Sequence, residues 1–213
     1  YAIKNKIDLI NKEQKKGKLL DVGCGTGDFL FAAKNNGWNV TGIEPNKNAR
    51  KIANKKNTNT IFDTTKLENL PTDSFDVITL WHVLEHLPNL EKQIEVFKKL
   101  LKPNGTIIIA VPNYNSFDAN YYKEYWAAYD VPRHLWHFSQ NSIKNLFEKF
   151  QIKLNKTIPM KFDSFYVSLL SEKYKTGKRN PFKAFWIGFR SNIKAKHTSE
   201  YSSLIYVFKN LKN

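Results

Sequence analysis

Apolar positions along this chain change period in a regular way, and the alternation predicts strand after helix. Ile3, Ile7 and Ile10 recur at helical spacing among lysines, which predicts an amphipathic helix over residues 2–16 closed by Gly17. Lys18–Val22 is short, apolar and flanked by glycine, as a buried parallel strand is. Phe29, Leu30 and Ala33 return to helical spacing until the Asn36-Gly37 stop. A strand over Asn39–Ile43 follows, then a helix opened by Pro45 and Asn46 and running to residue 56. A short strand at 59–62 leads into a polar loop at 63–74 with one helical turn, then a strand at 75–80. Leu90, Ile94, Phe97 and Leu101 put one apolar side on a helix over 89–101. Pro103-Asn104-Gly105 reads as a turn before a strand at 106–111. Ser139 caps a helix to residue 150, with Ile143, Leu146, Phe147 and Phe150 facing in. Residues 151–159 and 202–208 read as two final strands. Strand alternating with helix predicts an α/β fold with a doubly wound, mostly parallel sheet.

Two stretches depart from this rhythm. Residues 113–137 hold Tyr114, Phe117, Tyr121, Tyr122, Tyr125, Trp126, Tyr129 and Trp136. Beyond a strand's carboxyl end, they suit a lid or pocket wall, or else a helical insertion with its own small core. Residues 160–201 make an unusually long connection before the last strand, with apolar stretches at 162–170 and 182–189 among many lysines and arginines. Phe185, Trp186 and Phe189 beside these cations suit a membrane surface. Burial against the sheet, as core or lid, is the preferred reading.

The chemistry concentrates at Asp21-Val22-Gly23-Cys24-Gly25-Thr26-Gly27, between the first strand and its helix. Three glycines there let the backbone turn sharply and approach a ligand. Glu44 stands at the end of the second strand, where a carboxylate accepts hydrogen bonds from both hydroxyls of a ribose. The spacing G-x-G-x-G, with Asp28 following, departs from the dinucleotide fingerprint. An acid at a helix start repels a pyrophosphate and suits a ligand carrying an ammonium and a sulfonium.

These residues, with Gly42-Ile43-Glu44-Pro45, Ser74-Phe75-Asp76-Val77-Ile78-Thr79, Glu85-His86-Leu87 and Leu101-Lys102-Pro103-Asn104-Gly105-Thr106 in that order, resemble the class I S-adenosylmethionine-dependent methyltransferases. The resemblance covers roughly residues 18–150 and is nearest the small-molecule branch that includes the ubiquinone-biosynthesis O-methyltransferases. It implies a Rossmann-like, seven-stranded sheet with an antiparallel last strand, an aromatic lid and a helical insertion before that strand. A single domain over 1–213 is expected: N-terminal helix 1–17, cofactor core 18–111, aromatic lid and substrate segment 112–138, basic helical insertion 160–201. The resemblance further implies S-adenosylmethionine as cofactor and S-adenosylhomocysteine as product. Asp21 and the backbone of Gly23, Cys24, Gly25, Thr26 and Gly27 would hold the methionine part, and Glu44 with Pro45 the ribose. Leu67, with Asp63, Lys66 and Glu68 nearby, would lie by the adenine, and Trp81 and His82 beside the sulfonium. Lys66 stands where the family often has an aspartate before a Leu-Pro pair.

Methyl transfer to oxygen needs an in-line arrangement and a base, and no metal. His82 is the first candidate base, at the strand edge facing the methyl group; His86 and His134 follow. Arg133 suits an anionic substrate group through its planar fork, and Tyr114, Tyr125, Trp126 and His137 complete the expected substrate wall. His82/His86 and His134/His137 are two pairs distant in sequence, so no metal site is expected.

Composition narrows the picture little. The net charge of +15 allows nucleic acid, an anionic membrane face or an acidic substrate, while the lysine and asparagine bias along the whole chain equally fits a solvated basic surface. Leu80-Trp81-His82-Val83 stands where amino-methylating nucleic-acid enzymes carry an Asn/Asp-Pro-Pro-Tyr motif, which disfavours nucleic acid as substrate. The expected partner is a small acceptor, aromatic, sugar or lipid-linked, with peripheral membrane contact through the basic insertion. No apolar run approaches the ~20 residues that span a bilayer, there is no signal-peptide pattern at the start, and the single cysteine fits a reducing compartment. The expected location is the cytoplasm, or the inner face of its membrane. The chain opens on Tyr1 rather than methionine, as a piece of a longer protein would.

Overall fold

In the computed structural model, which describes residues 2–210, seven strands form one sheet in the order β3-β2-β1-β4-β5-β7-β6. β1 (Lys18–Val22), β2 (Asn39–Ile43), β3 (Ile61–Phe62), β4 (Phe75–Trp81) and β5 (Leu101–Pro112) run parallel. β6 (Ile152–Pro159) and β7 (Ser203–Asn210) complete the sheet, and β7 is antiparallel to both β5 and β6. The expected doubly wound class and antiparallel last strand are both present. β1 is bordered by β2 on one side and β4 on the other, so the strand order reverses beside it. A ligand crevice opens at such a reversal, outside the strands' carboxyl ends.

Helices cover both faces. α1 (Ile3–Glu13), α2 (Asp28–Asn35) and α3 (Lys47–Asn57) lie in the first half, and α4 (Leu90–Leu100) and α6 (Gln140–Glu148) flank the short α5 (Phe117–Tyr122). The core on one face joins Ile78, Leu80, Ile107 and Ile109 to Ile94, Phe97, Ile143 and Phe147. On the other face Leu19, Val77 and Ile108 meet Ile10, Phe29, Leu30 and Trp38. Alternate strand residues feed the two layers, as the pleat requires.

Several boundaries differ from expectation for local reasons. α1 ends at Glu13, and Gln14 closes it rather than Gly17; the Gln14 amide donates to the Asn104 carbonyl at 2.6 Å. β3 is shorter because Thr58 and Asn59 adopt φ of 54° and 61°, outside strand geometry. β5 begins already at Leu101, with the expected turn looped out inside it: Phe75 pairs Leu101, but Val77 pairs Thr106. Ser139 caps α6 as expected, in a capping box with Ser142.

The long connection forms α7 (Asp163–Thr176) and α8 (Pro181–Thr198). The aromatic segment packs against them in a third cluster, where Ala119, Tyr122 and Trp126 meet Val167 and Ile187. Asp118 is its polar centre. Fully buried, it accepts hydrogen bonds from Trp126 Nε1 at 2.8 Å, Ser191 at 2.7 Å and Ser202 at 2.7 Å. The segment thus has a small core of its own, the alternative to a simple lid. The preferred burial of Phe185, Trp186 and Phe189 does not occur: they are 60%, 56% and 41% exposed. Small residues of α8, including Gly188 and Ser191, take the inner face instead.

Candidate active site

Between β1 and α2 the chain must reverse over the sheet edge, and two of the glycines there, Gly27 and Gly25, answer different demands. A Cβ at Gly27, where φ is 76°, would lie 2.6 Å from Asn57 Nδ2 and 2.9 Å from Ala53 Cβ, so this glycine serves the packing of α2 on α3. At Gly25, with φ 55°, a Cβ would meet nothing within 4 Å. The space for a ligand therefore lies over Gly25. Thr26 is exposed and donates to Asp28 at 2.6 Å.

Glu44 closes over this loop from the end of β2. Gly25 N–H donates to Oε2 at 2.8 Å and Asn46 N–H to Oε1 at 2.8 Å. Two backbone donors fix the carboxylate with acceptor capacity to spare. Arg50 ties the neighbouring strand ends: it donates to the Glu44 carbonyl at 2.6 Å and to that of exposed Pro45 at 3.0 Å, and pairs with Asp63 at 3.0 Å. Asp21, at the end of β1, is buried and accepts the Thr79 hydroxyl at 2.6 Å. Burial lifts its pKa to about 7, against the Thr79 bond and the charge of Lys6. Burial, with Asp21 and Glu44 nearby, likewise pushes the Cys24 thiol up, so it stays neutral. Leu67 turns into the sheet core and offers no exposed side chain to a ring; the turn it anchors borders β2.

Next to this loop, around the end of β4, a cavity of about 590 Å³ opens. Lys6, Trp81, His82, Arg133, His134 and Tyr166 are among its walls. The Lys6 ammonium sits 4.4 Å from the Trp81 ring centre; burial lowers its pKa, while Asp21 and Asp163 act to hold the charge. His82 adopts φ 56°, an uncommon backbone state for a side chain of its size. There its Nδ1 lies 3.5 Å from Glu85 Oε1 and its Nε2 3.4 Å from Asp163 Oδ2. Burial alone would lower the pKa, but the two carboxylates outweigh it and raise it to about 9. His82 is therefore an imidazolium at neutral pH, with no lone pair to take a proton. In that state it fits poorly the expected role of first-choice base.

His134 has the opposite character. Its Nδ1 lies 2.9 Å from the Ala128 carbonyl, so Nδ1 carries the hydrogen and Nε2 keeps its lone pair. Burial lowers its pKa below the ordinary histidine value. His86 is exposed, with Nδ1 2.9 Å from the Arg133 carbonyl and its ring 4.6 Å from that of His134. The sequence reading did not combine Glu85, His86 and His134, yet one ligand atom from each lies within 4.8 Å of the others. Neither carboxylate oxygen of the buried Glu85 has a hydrogen-bond partner among the described residues.

The expected substrate wall is only partly assembled. Arg133 borders the cavity, held by Asp130 through Nη2 at 2.6 Å and Nε at 3.1 Å. Tyr114, Trp126 and His137 border a separate, tightly filled pocket, and Tyr125 borders neither. Trp126 is core, 2% exposed, and His137 Nε2 is bonded to the Tyr129 carbonyl at 2.9 Å. Their places are taken by Phe162, Tyr166 and Tyr174 from the α7 region. Asp163 and Lys6 are the charged residues that the sequence reading missed. Each lies far along the chain from its partners, and Lys6 is one lysine among many.

Comparison with known proteins agrees with the architecture. Residues 1–156 match the family model described as a methyltransferase domain. A ubiquinone biosynthesis O-methyltransferase of Actinobacillus pleuropneumoniae is 37% identical over an alignment of 107 residues that covers 45% of this chain and 46% of that protein. The chain thus spans about half the length of the curated relatives it matches. Among solved structures, a SAM-dependent methyltransferase from Archaeoglobus fulgidus aligns with 98% of this chain and 94% of its own, at TM-score 0.65 and 17% identity. Geranyl diphosphate C-methyltransferase from Streptomyces coelicolor, solved with S-adenosyl-L-homocysteine, aligns with 97% and 76% at TM-score 0.64 and 12% identity. These two likenesses are of fold. The family match covers most of the chain, and the chain belongs to the methyltransferase-domain family.

Proposed function

We propose that this member of the methyltransferase-domain family moves a methyl group from S-adenosylmethionine to an oxygen of a small acceptor held in the cavity beside His134. One observation carries the reading: Glu44 is fixed by the Gly25 and Asn46 N–H groups over the one glycine of this turn with open space above it. A carboxylate so placed accepts both hydroxyls of a ribose, and Asp21 behind it suits an ammonium. When bound, S-adenosylmethionine supplies an electrophilic methyl group and leaves as S-adenosylhomocysteine.

The chain's own residues supply position and proton transfer. Walls of Trp81, Tyr166, Phe162 and Tyr174 favour an aromatic or amphiphilic acceptor. Arg133 offers a charge for an anionic substituent. As the acceptor oxygen bonds to the methyl carbon and the carbon–sulfur bond breaks, its proton passes to His134 Nε2. The His82 imidazolium, clamped by Glu85 and Asp163, holds the wall of the cavity in place.

Calorimetric titration with S-adenosylhomocysteine, with NAD as control, tests the cofactor half. Binding of the first alone supports the reading, and binding of neither overturns it. A panel of phenols, catechols and hydroxylated amphiphiles with radiolabelled donor tests the acceptor half; label transferred to nitrogen or carbon only would overturn the oxygen assignment.

A second reading is favoured by the convergence of Glu85, His86 and His134, one ligand atom of each within 4.8 Å of the others: a divalent ion held by these three that orients the acceptor oxygen. Both histidines bond a backbone carbonyl through Nδ1, which leaves Nε2 for a metal. Manganese titration separates the two readings. Selective broadening of the His86 and His134 ring signals supports the ion, and unchanged signals leave His134 as base.

A further inference from the structure

α8 carries its large side chains on the wrong side for a core helix. Phe182, Phe185, Trp186, Phe189 and Ile193 repeat at helical spacing and are all exposed, Phe182 at 88%. The opposite face is built from Ala184, Gly188, Ser191 and Ala195, all buried. The small residues let α8 approach α7 closely: a Cβ at Gly188 would lie 2.8 Å from the Phe165 ring and 3.0 Å from its backbone. Phe165 and Phe185 stack at 5.3 Å beside an open apolar hollow of about 440 Å³. Phe162, 82% exposed, borders both this hollow and the large cavity. The apolar face therefore runs to the mouth of the site. An uninterrupted aromatic patch of this kind marks an interaction surface.

Its charge points to one occupant. Residues 160–198 contain nine lysines and arginines and two acids. Both acids are already paired, Asp163 with His82 and Glu172 with Lys183 at 3.4 Å. Lys178 and Arg179 are exposed just ahead of the aromatic stripe, while Arg190 and Lys194 border it and also lie over the Phe117 ring at 5.5 and 4.4 Å. A second copy of this chain would bring like charges together at such a face. A bilayer with anionic headgroups offers what the face lacks, a negative plane over an apolar interior.

We propose that the α7–α8 face docks on an anionic membrane surface, its aromatic side chains in the headgroup boundary and the mouth of the large cavity beside the bilayer. The contact does not depend on the methyl-transfer reading and is measured apart from it. The protein is sedimented with phosphatidylcholine vesicles, with and without phosphatidylglycerol. The expected result is binding to the anionic vesicles, weakened by salt. Phe185→Ser with Trp186→Ser should abolish it, and Lys178→Glu with Arg179→Glu should weaken it about tenfold or more. Both pairs are exposed, so thermal melting and S-adenosylhomocysteine affinity should stay unchanged and certify the fold. Absence of binding to anionic vesicles, or binding indifferent to the aromatic pair, overturns the proposal. So does a concentration-dependent dimer that the aromatic pair abolishes, because a second copy would then cover this face.

Discussion

His82 Nε2 and Asp163 Oδ2 stand 3.4 Å apart, although one directly follows the central strand β4 and the other opens the helical connection that follows β6. The pair joins the inserted helices to the carboxyl edge of the sheet. Asp163 gains as well: burial pushes its pKa up, but the imidazolium more than offsets this and holds the carboxyl below its ordinary value.

This pairing predicts the titration of His82. Its folded pKa is about 9 against an ordinary 6.5, so the stabilisation is fully present below pH 6.5 and is lost as pH rises through 9. The side chain is partly exposed, so solvent screening leaves about 1 kcal/mol. His82→Gln should lower stability at pH 6 by that amount and leave little difference at pH 10, measured by urea denaturation. Histidine ring NMR should show His82 titrating well above His134; the reverse order would overturn both assignments.

Asp21 predicts pH-dependent cofactor binding. Its pKa is raised to about 7, so folding is favoured by the protonated form and loses stability as pH climbs from 3.8 through 7. An ammonium partner restores the charged form, so S-adenosylhomocysteine should bind more tightly at pH 8 than at pH 6 and release a proton at the lower pH. Asp21→Asn should raise stability at pH 8 by on the order of 1 kcal/mol and weaken binding about tenfold. Calorimetry in two buffers of different ionisation enthalpy reads the proton.

Gly25 and Gly27 should separate under mutation. Gly25→Arg fills open space, so binding is lost while stability falls by only about 1 kcal/mol, the strain of a side chain at positive φ. Gly27→Ala meets Asn57 and Ala53 and should cost about 2–3 kcal/mol. Thermal melts beside binding titrations decide the matter.

Asp118 predicts a large structural penalty away from the chemistry. Asp118→Ala leaves the donors of Trp126, Ser191 and Ser202 unmatched in the interior and should cost about 3–5 kcal/mol. Proteolysis should then first open the chain around α5 and α8.

Much of the sheet was legible because each strand is a short apolar run closed by glycine, asparagine or proline. Lys18–Val22 and Asn39–Ile43 were placed to the residue. Glu44 and the glycine turn were legible for the same reason: a strand end fixes where they point. The cavity was less so. His82 looked like a base because its second partner, Asp163, becomes a neighbour only once α7 folds back. Trp126 and Phe185 carry equal apolar weight in sequence, yet one is buried and the other exposed. What decides is the small-residue face of α8, a packing fact that aromatic content alone does not encode.

β7 occupies the place between β5 and β6 and hydrogen-bonds to both. During synthesis, β5 and β6 emerge with their facing edges bare, and both wait until residues 203–210 arrive. The nascent chain thus carries two unpaired strand edges while α7 and α8, with their aromatic stripe, are already outside the ribosome. A membrane or chaperone that shelters that stripe would protect the half-built sheet, so expression in a host without such shelter should favour aggregates of chains arrested before residue 203.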